Sequence, residues 1–111
     1  MLASSKGNKE VVSILIKYGA TIDLGNHLNR SALMYACREG FIEIASMLIN
    51  SKADVNKTDN HGRTCLIFAV YGNHFNLVQL LINSNAYVLI EDKVNRSIIL
   101  FFFFKFYIKL Y

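Results

Sequence analysis

The residues of this 111-residue chain that could do chemistry are few and widely spaced. Three histidines, His27, His61 and His74, and two cysteines, Cys37 and Cys65, are candidate metal ligands. Ligands of a structural zinc site come in close pairs, and these residues are not arranged in such pairs. The spacing therefore favours no metal site, and we predict neither a metal nor a cofactor.

Carboxylates at Asp54 and Asp59, or at Glu39 and Glu43, could be interpreted as general acid–base pairs. Charged residues on a solvated face explain such pairs more often. The chain contains no glycine-rich phosphate loop and no nucleophile motif. We therefore predict that it is not an enzyme and has no catalytic residues.

Composition and charge narrow the choice of partner and compartment. The net charge of +4 is mild, and Arg30, Arg63 and Arg96 form a row spaced by one period rather than a basic cluster. Such a row suits an acidic partner better than nucleic acid, which we do not expect. Two unpaired cysteines without a C-x-x-C motif, and a start without an apolar signal core, predict an intracellular, cytoplasmic protein.

The elements that must position these residues repeat every 33 positions. Leu33, Ala36 and Ala53 recur as Leu66, Ala69 and Ala86. A fixed period of this length is typical of a stacked-repeat protein. We divide the chain into a repeat domain over residues 1–96 and a degenerate, aromatic-rich segment over residues 97–111. The domain comprises a partial repeat (1–25), two full repeats (26–58 and 59–91) and the start of a fourth from residue 92.

Each full repeat predicts two short antiparallel helices. In the central repeat these are Ala32 to Arg38, capped by Ser31, and Ile42 to Asn50, with Gly40 between them. The next repeat predicts the same pair between Thr64 and Asn83, with Leu77, Val78, Leu81 and Ile82 facing inward. The predicted fold is an all-α solenoid of helix-turn-helix units with short connecting β-type turns.

The C-terminal segment departs from this pattern. Phe102 occupies the small alanine position and Phe106 the glycine position, where bulky rings hinder close helix packing. The segment has three interpretations: a capping helix, a membrane-associated end, or the end of a fragment. We expect membrane contact only through residues 98–111, and a monomer unless this segment self-associates.

Three stretches resemble the ankyrin repeat family. Gly62 to Ala69 is similar to its G-x-T-P-L-H-x-A motif, Ala36 to Gly40 contains its mid-repeat glycine, and Met47 to Asn56 is similar to its L-L-x-x-G-A-D-V-N ending. The chain departs from the family at the histidine position, where Met34 and Ile67 stand. A further departure is Lys52 and Asn85 at the glycine position that Gly19 keeps.

The resemblance implies that partners are contacted by the turn tips and by the exposed side of the first helix of each unit. Carried over to this sequence, the protein-binding residues are His27, Leu28, Arg30, Arg38, Glu39, Asn60, His61, Arg63, Tyr71, Lys93 and Arg96.

The function that the resemblance implies is a non-enzymatic protein–protein interaction module, a scaffold or adaptor whose partner is another protein. Two alternatives stay open. The chain could be a truncated fragment of a longer repeat array with no independent function, or an adaptor tethered to a membrane by its apolar C-terminal segment.

Overall fold

A computed structural model describes residues 2–86, apart from the side chain of Ser5. They form six helices in three antiparallel pairs and no strand, which confirms the all-α prediction. The fourth repeat, the aromatic segment, and the predicted roles of Lys93 and Arg96 lie outside these residues. No helix within residues 2–86 is long and apolar enough to cross a membrane. The six helices are α1 (Leu2–Ser5), α2 (Lys9–Lys17), α3 (Ala32–Glu39), α4 (Ile42–Asn50), α5 (Cys65–Tyr71) and α6 (Phe75–Asn83).

The helices form two parallel rows. The first helices of the units, α1, α3 and α5, contact one another in order, and so do the second helices, α2, α4 and α6. Ala36 of α3 and Ala69 of α5 are completely buried, and their small side chains allow close approach of neighbouring helices. Met34 and Ile67, which replace the expected histidines, are also buried, so apolar packing occupies these positions.

The second helices show which side of each unit faces its neighbour. Leu77 and Leu81 of α6 are buried, as are their equivalents in α4. The equivalents in α2, Val11 and Leu15, are 40% and 46% exposed. These positions therefore face the preceding unit, and residues 2–86 place no helix against that side of α2. The prediction that Ile82 faces inward is wrong. This residue is exposed, because no described helix follows α6.

Local hydrogen bonds begin and end the helices where the sequence predicts. The Oγ of Ser31 accepts the N–H of Met34, and Oγ1 of Thr64 accepts that of Ile67. Asn73 ends α5 in the left-handed conformation, with a φ of 61°. Lys52 has the same conformation at a φ of 72°, so a lysine takes the strained backbone that glycine supplies elsewhere.

A ring from each later unit covers the glycine that ends the first helix of the unit before it. A Cβ atom on Gly7 would lie 2.9 Å from the ring of Phe41, and one on Gly40 would lie 2.6 Å from the ring of His74. Nε2 of His74 also lies 3.1 Å from the carbonyl oxygen of Arg38. A carbonyl only accepts, so Nε2 is the nitrogen that donates. The glycines thus provide the space for contacts between successive units.

We expect Gly40→Ala to destabilise the protein more than Gly19→Ala. Both glycines have a φ of 83°, so alanine adds similar backbone strain, about 1 kcal/mol, at each. The space around Gly19 is open, whereas an alanine at position 40 must displace the His74 ring, which costs roughly 1–3 kcal/mol more. Urea unfolding followed by circular dichroism measures both losses. Equal losses would contradict the proposed role of the His74 contact.

Candidate functional site

One buried carboxylate organises the turn before α5. The Asp59 side chain is inaccessible to solvent, and its Oδ1 accepts the backbone N–H groups of His61 and Arg63, both at 2.9 Å. Asn26 makes the equivalent turn one unit earlier, where its Oδ1 accepts the N–H groups of Leu28 and Arg30. The turn geometry therefore needs only one oxygen, which leaves the second oxygen of Asp59 for another use.

That second oxygen binds arginines from two successive units. Oδ2 of Asp59 accepts hydrogen bonds from the Nε–H groups of Arg30 and Arg63. The Nε–Oδ2 distances are 3.3 Å for Arg30 and 3.2 Å for Arg63. Burial acts to raise the pKa of Asp59. The N–H groups of Arg63 and His61, together with the guanidinium groups, outweigh it and hold the pKa below its ordinary value of 3.8. Asp59 is thus charged at neutral pH and joins the two units.

The same two arginines share an aromatic ring. The guanidinium carbons of Arg30 and Arg63 each lie 5.4 Å from the ring centroid of Phe68. This distance is within the range of cation–π attraction. Each guanidinium is therefore restrained both by the Asp59 carboxylate and by the Phe68 ring.

An open groove of about 410 Å³ lies over these groups. Tyr71, at the end of α5, is 66% exposed, and the Arg38 side chain, near the end of α3, is 52% exposed. The groove combines fixed positive charge, an exposed aromatic surface and an open shape, which are features of a surface that binds another macromolecule. Its lining consists of Arg30, Arg38, Arg63, Phe68, Tyr71 and Gly72.

The structure brings four of the predicted binding residues together: Arg30, Arg38, Arg63 and Tyr71. Glu39 lies beside them, 3.6 Å from Arg38 in an exposed ion pair. Binding by these residues is not tested by the fold alone and stays a prediction.

The other predicted turn-tip residues do not line the groove and lie where neighbouring turns are joined: His27, Leu28, Asn60 and His61. The N–H of Asn60 donates to the carbonyl of Leu28, and its side-chain amide donates to the carbonyl of His27. Nδ1 of His61 lies 3.2 Å from a terminal guanidinium nitrogen of Arg63. The Asn60 side chain thus has a structural role in addition to its predicted contact with a partner.

Sequence reasoning missed three residues of this region. Phe68 stands in an apolar helix, where it is indistinguishable from a core residue. Gly72 has no marked motif, yet a Cβ atom there would lie 2.5 Å from the His74 ring. Asp59 was weighed only as a possible acid–base partner. Its place two and four residues before the N–H groups that it binds is an Asx-turn signal that could have identified it.

The structure shows the surroundings of the residues considered as metal ligands or acid–base groups. A hydrogen bond with Cys37 and burial raise the pKa of the Cys65 thiol well above its ordinary value, so this thiol stays protonated at neutral pH. Both cysteines are free and buried. Glu43 binds Lys9 of the preceding unit at 2.6 Å. Within residues 2–86, no three His, Cys, Asp or Glu side chains are grouped as metal ligands would be.

Comparisons with known proteins agree with the architecture. A family model described as ankyrin repeats in three copies matches residues 1–92. A probable E3 ubiquitin-protein ligase of rice (Oryza sativa subsp. japonica), XBOS33, is 40% identical over 38 residues. That match covers 34% of this chain and 7% of the rice protein, so the chain spans only a small part of this relative's length. The activity in that protein's name is therefore not carried over to this chain.

We expect Asp59→Asn to lower the free energy of unfolding at pH 7 by about 3 kcal/mol, because two guanidinium groups lose their buried counter-charge. The folded-state pKa of Asp59 is lowered, so its contribution is present above the unfolded value of about 3.8 and disappears as the pH falls through the folded pKa. The difference between variant and wild type should therefore shrink at the lowest pH. Denaturant unfolding between pH 2 and pH 7 measures it.

The matched control is Asp54→Asn. Asp54 is exposed, and its Oδ1 accepts one turn N–H, that of Asn56. We expect a loss below about 1 kcal/mol. Equal losses at positions 54 and 59, or a difference that does not change with pH, would show that the Asp59 carboxylate is not the charged link between units.

Proposed function

This chain belongs to the ankyrin-repeat family, and we propose that it is a non-enzymatic scaffold or adaptor that binds another protein in the groove between α3 and α5. Repeats of this family mediate binding to other proteins. The groove described above is the surface for which this chain offers specific contacts.

The observation that most supports this location is that the groove combines restrained arginines with exposed side chains. Arg30 and Arg63 are held by Asp59 and Phe68, whereas Tyr71 and Arg38 are largely exposed beside them. Side chains that are already restrained lose less conformational entropy when a partner binds. Tyrosine and arginine are also the residue types enriched among those that contribute most binding energy.

The surface arises from the stacking itself. Arg30 comes from the second unit, Phe68 and Tyr71 come from the third, and Asp59 joins them. A single unit could not form the groove. Protein binding is thus proposed as a property of the stacked array, as expected for a solenoid whose units align into one extended surface.

An intracellular location remains a prediction. The two buried free thiols, Cys37 and Cys65, are compatible with a reducing compartment.

The test of this function is a pair of matched tyrosine variants of the full chain. Binders are selected from a displayed library of small folded domains, and their affinities are measured by surface plasmon resonance. We expect Tyr71→Ala to weaken most of the independent binders about tenfold or more, because it removes an exposed aromatic anchor.

Tyr18→Ala is the control. Tyr18 is 79% exposed at the end of α2, so the substitution deletes the same chemical group from another surface. It should change the affinities less than twofold. Binders that are lost with Tyr18→Ala and kept with Tyr71→Ala would place the binding surface outside the groove and contradict the proposal.

A further inference from the structure

The chemistry of the groove also indicates what kind of protein segment it fits. This inference rests on the proposed function and narrows its partner. The hydrogen-bond donors, the net charge and the aromatic surface of the groove each restrict the kind of segment that fits.

The groove retains hydrogen-bond donors after its internal contacts are made. A guanidinium group has five N–H donors. Asp59 takes Nε–H from Arg30, and the terminal N–H groups of Arg30 have no acceptor within residues 2–86. Arg63 gives Nε–H to Asp59 and points one terminal nitrogen at His61, 3.2 Å away. Donors of this kind, on a planar and fixed fork, match a carboxylate group.

The charge balance of the groove limits the number of negative charges that its ligand can carry. Arg30, Arg38 and Arg63 line the groove, and two carboxylates, Asp59 and Glu39, pair with them. One positive charge is in excess. A single carboxylate neutralises it, whereas a chain of phosphates would add several uncompensated negative charges. The balance therefore favours a protein segment with one acidic side chain over a nucleic acid.

The exposed ring sets the second requirement. Tyr71 lies in the same groove as the arginines, and its ring is mostly accessible. An apolar or aromatic side chain packed on this ring would remove apolar surface from water on both partners. The ligand should thus present an apolar group within a few residues of its carboxylate.

We propose that the groove binds an extended protein segment in which one Asp or Glu side chain, held by the terminal N–H groups of Arg30 and Arg63 with Arg38 at the rim, stands close to an aromatic or aliphatic side chain that packs on Tyr71.

The test uses the full chain and an array of octapeptides with acetylated and amidated ends, so that the peptide termini carry no charge. Each peptide has one central Glu and one Phe at a varied distance from it, and its matched control has Gln in place of Glu. Fluorescence anisotropy at 150 mM salt measures affinity. We expect the best Glu peptide to bind about tenfold more tightly than its Gln counterpart, because a hydrogen bond to a charged group is lost in the counterpart.

Two protein variants locate the carboxylate. Arg38→Gln removes a rim charge that Asp59 does not hold, and Arg30→Lys keeps a positive charge beside Asp59 but removes the guanidinium fork. Both should weaken the Glu peptide and leave the Gln peptide nearly unchanged, and Tyr18→Ala should change neither. This coupling between peptide and protein substitutions distinguishes direct contact from a general loss of fold. Thermal unfolding of each variant verifies that it is folded.

Other outcomes would overturn this inference without overturning the proposed function. Glu and Gln peptides of equal affinity, or no peptide binding while selected domains still depend on Tyr71, would show that the groove binds proteins without a carboxylate contact. A single-stranded oligonucleotide that binds more tightly than every Glu peptide, and loses affinity with Arg38→Gln, would identify a polyanion site instead. Failure of both the domain selection and the peptide array would contradict both proposals.

Discussion

The carboxylate of Asp59 is the group on which the described structure depends most. A charge removed from water is stable only when it is paired and hydrogen-bonded, and Asp59 meets this condition with four N–H donors. Three donors come from its own turn, whereas the fourth comes from Arg30, one unit earlier. The conformation of the turn, the register between two units and the position of the arginines are therefore linked through one residue.

This link connects the stability of the protein with its proposed binding surface. The groups that restrain the arginines, Asp59 and Phe68, are buried, whereas two of the groups proposed to contact a partner, Arg38 and Tyr71, are exposed at the ends of helices. The groove thus has a buried inner layer that restrains the arginines and an exposed outer layer beside it. Substitutions in the outer layer can change the partner without a large cost in stability, which is the arrangement expected of an adaptable binding module.

The sequence was most informative where structure is local. Ser31, Thr64 and Gly40 determine helix ends through contacts within a few residues, so their roles could be predicted from type and spacing. The inward positions Leu77, Val78 and Leu81 of α6 followed from the period in the same way. Ile82 was misplaced because periodicity indicates which positions can face a neighbour, whereas within residues 2–86 no helix follows α6 to cover it. Phe68 was missed because its contact with Arg30 depends on how units stack, which no pattern within one unit records.

The exposed pair Val11 and Leu15 shows how this architecture differs from a closed one. The number of strands in a barrel is set by the geometry of closure. A solenoid does not close on itself, so its geometry does not set the number of repeats. Within residues 2–86, the side of α2 that holds this pair has no neighbouring helix, so the stack could be extended there by another unit. A further unit placed there would remove apolar surface of both side chains from water. The number of units in such a protein is therefore free to change in evolution, one unit at a time, and the length of the binding surface changes with it.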